Sequence, residues 1–483
     1  MFWRGVWGYL PAQIVQGVVG FLAIIVFTRL LSAEDFGRYA LAFSIFSLVH
    51  VVVFTWLEAA MARFWATETT PQGMAAHFAG LYRTAFVLSA VFVPLAGLAV
   101  WLWPMDPTLK IAVVVGLAGV PIRCLTKLGQ ERRRAEGEVS SAARLDMFVS
   151  IGGLVAGIAL ALAGAGAAAP LAGLMIAPLL ALPFVMPGEV RRGRGAAFER
   201  GRMIRYARYG YPIAAGLILS LVLASTDRFL LAAFLDEAAV GAYHAGYSIA
   251  NRTLDVLFIW LGAAGAPALI MALERGGPDQ LRLAAREQGS IFILIGLPAA
   301  VGVALVATPL SQALIGEDLR GAVSQVTPWI AVSALLSGLC SYYFGQAFVL
   351  SHRTGLLLVT VGIPAVANVV LNLILIPRFG VLGAAWSTAA SFAIGLVASI
   401  VLGRGPLAMP VPWRTIGRSG LACGVMALAV TALPSPGGAI ELVLDAGVGG
   451  LVYAVTAVLL NAAGVRDLAR RLIGQRRARS LAS

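Results

Sequence analysis

Long runs of apolar residues, separated by short polar stretches, recur along almost the whole chain from Tyr9 to Asn461. The runs are continuous and rich in Leu, Ala, Gly and Val, whereas the strands of a membrane β-barrel are short segments of alternating polarity. A helix of roughly 20 predominantly apolar residues crosses about 30 Å of hydrocarbon. The pattern therefore predicts an all-α polytopic membrane protein.

The boundaries of these runs predict about 14 transmembrane helices. We expect the first run to be a retained span, because it is longer than the apolar core of a signal peptide and ends without a small-x-small cleavage site. The predicted spans are 9–31, 39–62, 79–102, 109–128, 145–164, 168–187, 209–235, 239–272, 287–309, 322–350, 354–376, 381–403, 415–433 and 440–462.

Composition supports a chain whose main solvent is lipid. Of the 483 residues, 59% are hydrophobic and 12% are charged, against about 25% charged residues in soluble domains. The three cysteines lie in or beside apolar runs and have neither metal-binding nor redox spacing. We therefore expect no metal site and assign the cysteines to packing.

The basic residues predict the orientation of the chain. With a cytoplasmic N-terminus, 29 of the 36 basic residues lie at inner ends and loops, five lie outside and two lie within spans. Cytoplasmic loops of membrane proteins carry an excess of Lys and Arg, so both termini should be cytoplasmic. This requirement also accounts for the net charge of +13 without a nucleic-acid partner.

A polar segment rich in arginine, 188–208, separates two halves that share a short repeat. Gly37-x-Tyr39-x4-Ser44-Ile45 recurs as Gly241-x-Tyr243-x4-Ser248-Ile249, with every member displaced by 204 residues. Six spans separate the copies, which predicts parallel repeats and suits a transporter with a central cavity. The predicted domains are an N-terminal six-helix lobe at 1–187, a basic cytoplasmic linker at 188–208, a C-terminal six-helix lobe at 209–403, helices 13 and 14 at 404–465, and a basic cytoplasmic tail at 466–483.

Span eight carries a polar stripe. His244, Ser248, Asn251 and Asp255 are spaced so that they occupy one sector of a helix, and Arg252 lies at its edge. Ionisable groups within a bilayer usually face a bundle interior, a partner or water, so the stripe can line a cavity. Hydrogen bonding between helices is the alternative.

Further polar residues lie inside other spans. Arginine suits a pyrophosphate-bearing substrate because its planar fork makes two charge-assisted hydrogen bonds to phosphate oxygens. The candidates for that contact are Arg29, Arg228 and Arg252, although Arg29 can also extend to the outer surface from its helix end. Glu58, Asp227 and Asp255, with His50, are candidates for charge pairing or for binding a coupling proton or sodium ion. Asp146, Asn368 and Asn372 are candidates for the cavity wall or for helix packing.

Catalysis is not expected. The sequence has no nucleophile elbow, HExxH, phosphate loop, paired-cysteine metal site or Asp-x-Asp motif. The predicted outer loops are only several residues long, too short for the catalytic loop of a membrane polymerase or glycosyltransferase. We therefore name no catalytic residue, no metal ligand and no cofactor beyond the coupling ion.

Four stretches resemble a known family in matching order along residues 29–385. The stretches are Arg29-Leu30-Leu31-Ser32-Ala33-Glu34-Asp35-Phe36-Gly37; Asp227-Arg228-Phe229-Leu230-Leu231 with Val240-Gly241-Ala242-Tyr243 and Tyr247-Ser248-Ile249-Ala250; Gly345-Gln346 to His352-Arg353; and Asn368 to Pro377 with Gly380-Val381-Leu382-Gly383-Ala384-Ala385. In these stretches the sequence is similar to polysaccharide or O-antigen (Wzx-type) flippases of the multidrug/oligosaccharidyl-lipid/polysaccharide (MOP) exporter superfamily.

The resemblance implies a fold and a function. It implies two six-helix lobes around a central cavity with two additional helices outside, in a bacterial cytoplasmic (inner) membrane. It also implies alternating-access export of undecaprenyl-diphosphate-linked oligosaccharide for O-antigen, capsule or exopolysaccharide, with a polymerase and a chain-length regulator as partners beside membrane lipids. Arg29 and Arg252 resemble cavity arginines of lipid II flippases in placement. The alternatives are a cation-coupled drug exporter of the same superfamily, a lipid II flippase, or a membrane scaffold for polysaccharide machinery.

Overall fold

The computed structural model describes residues 2–353, 355–405 and 407–466, with side chains from residue 11 onward. Regular elements in these ranges are helical throughout. The predicted basic tail, 466–483, lies outside the described residues except for Arg466, so that prediction stays open. The result is a multi-pass helical membrane protein, as the apolar runs predict.

Helices follow one another with short turns between them. The first eight are α1 (Phe2–Leu30), α2 (Ala33–Val53), α3 (Thr55–Phe64), α4 (Pro71–Leu102), α5 (Pro107–Ala135), α6 (Val139–Leu162), α7 (Ala169–Arg192) and α8 (Arg200–Phe234). The others are α9 (Glu237–Leu305), α10 (Ala307–Leu314), α11 (Arg320–Leu339), α12 (Gln346–Leu350), α13 (Gly355–Leu402), α14 (Trp413–Thr431) and α15 (Gly438–Leu459). A π-helical turn, Cys340–Phe344, joins α11 to α12.

Two of these helices are broken by glycines. Gly277 in α9 has φ 68° and Gly380 in α13 has φ 59°, a backbone conformation that favours glycine. Eleven of the described helices are long and apolar enough to cross a membrane. The breaks divide α9 and α13 into two halves each, which gives thirteen helices, and α14 is the fourteenth. The described residues thus carry the fourteen helices that the sequence predicts, which confirms the fold class.

Capping residues mark the N-termini of several helices. The Ser32 hydroxyl accepts a hydrogen bond from the Asp35 amide at the start of α2 (3.1 Å). Thr70 accepts one from the Gly73 amide at the start of α4 (3.0 Å). Asp106 caps α5, and proline follows both Thr70 and Asp106 at the first helical position. These are the cap and proline preferences of helix N-termini.

The chain divides into two compact units, Met1–His244 and Ala245–Ser483. In the first unit, α6 and α7 approach so closely that a Cβ added to Gly173 would lie 2.2 Å from the carbonyl oxygen of Gly153. Helix α8 packs on α3 through Gly210, where a Cβ would lie 2.7 Å from the Trp56 Cβ. Of the predicted linker 188–208, only 193–199 lies outside α7 and α8. The lobe boundaries given above remain predictions.

The second unit packs around aromatic side chains. The rings of Phe258 and Phe292, on the two halves of α9, are 5.6 Å apart, and both are fully buried. The Tyr343 ring lies 6.0 Å from Phe292. Helices α14 and α15 pack on each other and on the second half of α9 through two small apolar clusters.

The repeat detected in the sequence has a structural counterpart inside the first unit. A Cβ on Gly37 would lie 1.7 Å from the carbonyl oxygen of Glu237, and a Cβ on Gly241 would lie 2.7 Å from that of Ala33. The displacement of 204 relates Gly37 to Gly241 and Ala33 to Glu237, so it converts one contact into the other. The start of α2 and the start of α9 therefore meet reciprocally. Such reciprocity is the mark of a two-fold contact, and only glycine permits backbones this close.

Candidate functional site

A break in the second predicted span brings two ionisable residues together. The span 39–62 is divided at Phe54 into α2 and α3. The His50 Nε2 atom lies 2.8 Å from the Glu58 Oε1 atom. In an unbroken helix, residues eight positions apart are separated by about 12 Å along the axis. The break therefore creates this buried pair.

Two cations of α5 act on the same carboxylate. Arg123 and Lys127 lie one turn apart, and the positive charges of both act on Glu58. The Arg123 guanidinium carbon is 5.3 Å from the centre of the Phe46 ring. Among the described residues Arg123 donates no hydrogen bond, and its Nε atom is buried without a partner. A buried guanidinium with five donors and only a ring contact is well placed to receive an anionic ligand.

Arg123 lines two cavities within the first unit. The larger, of 380 Å³, lies between α2, α5 and α8, and its wall contains Phe46, His50, Leu217 and Ser220. The smaller, of 250 Å³, is lined by residues that include Gln16, Lys127, Gln130, Asp146 and Ser150. Arg123 follows Pro107 by sixteen residues in α5, which is about 24 Å along the helix. The two cavities form a polar region inside the apolar bundle.

Asp146 is buried in the wall of the smaller cavity. Its Oδ2 atom accepts a hydrogen bond of 2.8 Å from the Arg134 Nη2 atom. Helical spacing places Asp146, Ser150, Gly153 and Gly157 on one stripe of α6, and the two glycines form the close packing of α6 on α7. The polar half of the stripe thus faces a cavity, and the glycine half packs helices.

Asp227 and Arg228 lie close to the start of α9 and both are buried. The Tyr243 hydroxyl donates a short hydrogen bond to the Asp227 carboxylate. Arg228 donates to the carbonyl oxygen of Ala224 (3.0 Å) and to the hydroxyl of Ser44 (3.4 Å). Asp227 therefore bonds to the following span, while Arg228 contacts α2.

The predicted stripe of span eight extends across the boundary of the two units. In the first unit, the His244 ring lies 5.7 Å from Phe36 and 6.1 Å from Tyr39. In the second unit, the Asn251 amide donates a hydrogen bond of 2.7 Å to Asp255. Arg252 is exposed, and so is Arg29 at the end of α1. Asn251 and Asp255 are thus a bonded pair within the stripe.

The two asparagines of span eleven are fully buried and bonded to each other. Asn372 donates to the Asn368 side-chain oxygen at 2.9 Å, and Asn368 donates to the Thr388 hydroxyl at 3.4 Å. Thr388 lies beyond the Gly380 break, so these bonds join the two halves of α13. The arrangement matches the helix-packing alternative.

An ion-pair network ties helix ends of the first unit. Arg132 donates to Glu189 at 2.8 Å and pairs with Glu136, and Arg192 pairs with Glu136 at 2.7 Å. Arg202 pairs with Glu68 and with Glu199. Several of the arginines counted above for the orientation of the chain are thus paired with carboxylates.

Sequence reasoning missed Arg123 and Lys127 as site residues. It counted them only among the basic residues at inner helix ends, although both fall inside the predicted span 109–128. Two cations one helical turn apart within a span are a signal that could have found them. Phe46, which contacts Arg123, gives no such signal because aromatic residues are common in spans.

Residues 26–324 match the model of a family described as polysaccharide biosynthesis protein. The chain belongs to this family. No curated protein matches the sequence. Membership confirms the predicted resemblance to polysaccharide-type proteins over more than half of the chain.

Solved structures with the same fold are membrane transporters. The structure is similar to lipid II flippase MurJ in an inward closed conformation, with a TM-score of 0.77 and 13% identity over 95% of this chain and 99% of that chain. It is also similar to MATE family multidrug transporters of the MOP superfamily. The inward-facing form has a TM-score of 0.67, 14% identity and coverage of 80% of this chain and 94% of that chain. The outward-facing form has a TM-score of 0.56, 15% identity and coverage of 83% of this chain and 94% of that chain. At these identities the likeness shows the fold.

Proposed function

We propose that this protein is a flippase for undecaprenyl-diphosphate-linked oligosaccharide, acting by alternating access in a bacterial inner membrane with both termini cytoplasmic. Two facts support the proposal: membership of a polysaccharide biosynthesis family and a fold shared with a lipid II flippase. The glycan would leave the cytoplasmic leaflet for O-antigen, capsule or exopolysaccharide assembly. A polysaccharide polymerase and a chain-length regulator are the partners that such a product requires.

The observation that carries the proposal is the Arg123 guanidinium beside the 380 Å³ cavity. A charged side chain within a transmembrane segment is costly, so it usually faces a bundle interior, a partner or water that compensates it. A diphosphate supplies the oxygens that a guanidinium fork binds in pairs. The cavity is small for an oligosaccharide, so we assign it to the diphosphate group.

Other predicted residues take supporting roles in this proposal. Glu58, paired with His50, balances Arg123 and Lys127 when no diphosphate is present. Exposed Arg29 and Arg252 remain candidates for further phosphate contacts, whereas we assign Arg228 to the packing of α8 on α2. Coupling to a proton or sodium ion stays a prediction for Asp227, Asp255 and Glu58.

Mass spectrometry of lipid-linked glycans, with sidedness labelling, tests the function in cells depleted of the protein. We expect an undecaprenyl-diphosphate oligosaccharide to accumulate on the cytoplasmic face, and its composition identifies the sugar. An unchanged lipid-linked pool together with an unchanged surface glycan would contradict the proposal. It would favour a drug exporter, as the MATE-like fold allows, or a scaffold.

Complementation of the depleted cells tests the residues of span eight. If Arg252 and Asp255 contact substrate or a coupling ion, Arg252→Ala and Asp255→Ala lower export at normal protein levels. Intact export by both variants would remove these two residues from the site while leaving the Arg123 cavity untouched.

A further inference from the structure

A third cavity lies in the second unit where α14 begins. It has a volume of 510 Å³ and shares no lining residue with the Arg123 cavities. Its wall contains Arg286 and Ser290 of α9, the segment 411–415, Arg418, and Ala463 with Gly464 after α15. The wall thus presents three arginines, and the carboxylates of Asp and Glu are absent from its lining residues.

Two of the three arginines have unused donors. Arg286 and Arg414 are exposed and donate no hydrogen bond to a described residue. Arg418 donates to the carbonyl oxygen of Asn461 at 2.8 Å, which fixes it at the rim. Since each guanidinium carries five N–H groups, the cavity offers many donors and a concentrated positive charge.

The rest of the wall is held in place by its own hydrogen bonds. The Thr415 hydroxyl donates to the Ser290 hydroxyl at 3.1 Å, which joins α14 to α9. The buried Tyr343 hydroxyl lies 2.6 Å from the Pro410 carbonyl oxygen and 2.9 Å from that of Ala285. The cavity is therefore a preformed feature of the junction between α9, the 410–412 segment and α14.

Below the arginines, α14 presents a continuous apolar face. Arg414, Leu421 and Leu428 recur every seven residues and so lie on one side of the helix. The side chains of Leu421 and Leu428 are 65% and 74% exposed. Gly417 and Gly424 lie on the same face, and a Cβ on either would meet no atom within 4 Å. Trp413, an interfacial residue type, is 73% exposed beside the cavity.

We propose that this cavity binds the phosphate headgroup of an anionic phospholipid, with the acyl chains lying along the exposed face of α14. A phosphate at one end and an apolar face below it match the shape of a phospholipid. Guanidinium groups bind phosphate oxygens in pairs, and basic pockets between helices on the cytoplasmic side bind anionic headgroups. The inference is independent of the flippase proposal, because it concerns a resident lipid and not a transported one.

Native mass spectrometry of the purified full-length protein tests the site, with phosphatidylglycerol as the probe and phosphatidylcholine as the neutral comparison. We expect Arg286→Ala/Arg414→Ala to weaken phosphatidylglycerol binding by about tenfold or more, because charge-assisted phosphate contacts are lost. The matched control is Arg275→Ala/Arg282→Ala, which removes the same charge from exposed positions on either side of the Gly277 break in α9, outside the cavity. The control variant should weaken phosphatidylglycerol binding by less than about threefold, since salt screens the attraction between distant charges.

Two results would overturn the inference. Equal weakening in the two double variants would show general surface attraction, and release of the lipid by millimolar inorganic phosphate would show a site for free anions. If the double variant unfolds in phosphatidylcholine alone, Arg414→Ala replaces it, because the exposed Arg414 side chain makes no hydrogen bond to a described residue. Unchanged binding by that variant would likewise count against the site.

Discussion

Two polar clusters, one in each unit, differ in charge. The cluster in the first unit combines acids and bases, and the cluster in the second unit joins neutral amides and a hydroxyl between the halves of α13. The first set is His50, Glu58, Arg123, Lys127 and Asp146. The second set is Asn368, Asn372 and Thr388. Both lie within helices of similar apolar character, so the contrast comes from the choice of polar residue.

The contrast separates a site from a scaffold. In the second unit the amides bond to each other and to a hydroxyl across the Gly380 break, so their bonds hold two helix halves together. In the first unit a guanidinium keeps unused donors beside a cavity. Keeping the Arg123 guanidinium inside the membrane with unused donors costs free energy, which is a reason to expect a ligand in the cavity beside it.

The largest expected effect follows from removing Glu58. Glu58→Ala removes the carboxylate that bonds to His50 and whose charge acts on Arg123 and Lys127. Leaving a buried charge without its compensating partner destabilises a protein by up to about 3–5 kcal/mol. We expect a marked fall in the thermal unfolding midpoint of the purified protein in detergent.

Two variants make this prediction specific. The double variant Glu58→Ala/Arg123→Ala should recover part of the lost stability, because both charges are then absent. Asp255→Asn in the second unit should cost less than about 1 kcal/mol, since its hydrogen-bonding partner is the neutral amide of Asn251. If Glu58→Ala melts like the wild type, the charged interior does not depend on this carboxylate.

The next effect concerns transport. Arg123→Ala removes the guanidinium from the 380 Å³ cavity. A hydrogen bond to a charged group contributes about 1.5–3 kcal/mol, so we expect flipping of the lipid-linked glycan to fall by about tenfold to a hundredfold. The measurement is the rate at which labelled glycan reaches the outer leaflet of proteoliposomes.

Conservative and distant variants control for loss of fold. Arg123→Lys keeps the charge but loses the paired donors, so it should retain intermediate activity. Arg144→Ala removes an exposed arginine from the neighbouring helix α6 and should transport at the wild-type rate. Normal flipping by Arg123→Ala would place the diphosphate elsewhere, with exposed Arg29 and Arg252 as the next candidates.

The fold follows closely from the sequence because membrane insertion is governed by length and apolarity. Each run of about 20 apolar residues gives one span, and even the two spans on either side of Gly277 or Gly380 were separated correctly. The repeat of Gly37 and Gly241 also pointed to a real feature, a close reciprocal contact. Glycine is informative here because no other residue permits that backbone distance.

The site followed less closely from the sequence. Helical periodicity assumes an unbroken helix, so it could not foresee that the break at Phe54 joins His50 to Glu58. Counting charges for topology also hid Arg123 and Lys127, because their spacing within a span signals two cations in the membrane but does not separate a helix end from a cavity wall. Only the packing of α2 and α8 against α5 distinguishes them.

The smallest expected effect comes from the neutral interior. Asn372→Leu removes the hydrogen bond to Asn368 but places no charge in the bilayer. Hydrogen bonds between membrane helices contribute about 0.6 kcal/mol on average and about 1.7 at most. We expect a slight fall in thermal stability and a wild-type flipping rate in proteoliposomes, because the residue holds α13 together and contacts no substrate.

Asn372→Asp is the matched counterpart at the same position, since it introduces a carboxylate into the neutral cluster of α13. An uncompensated carboxylate within the bilayer costs about 2.5–3.5 kcal/mol on the insertion scale, so this variant should be far less stable than Asn372→Leu. Equal stability of Asn372→Asp and Asn372→Leu would mean that the surroundings of Asn372 compensate a buried charge as well as the charged cluster of the first unit does. Loss of flipping by Asn372→Leu at normal stability would place Asn372 in the transport site, and the division between a charged site and a neutral scaffold would fail.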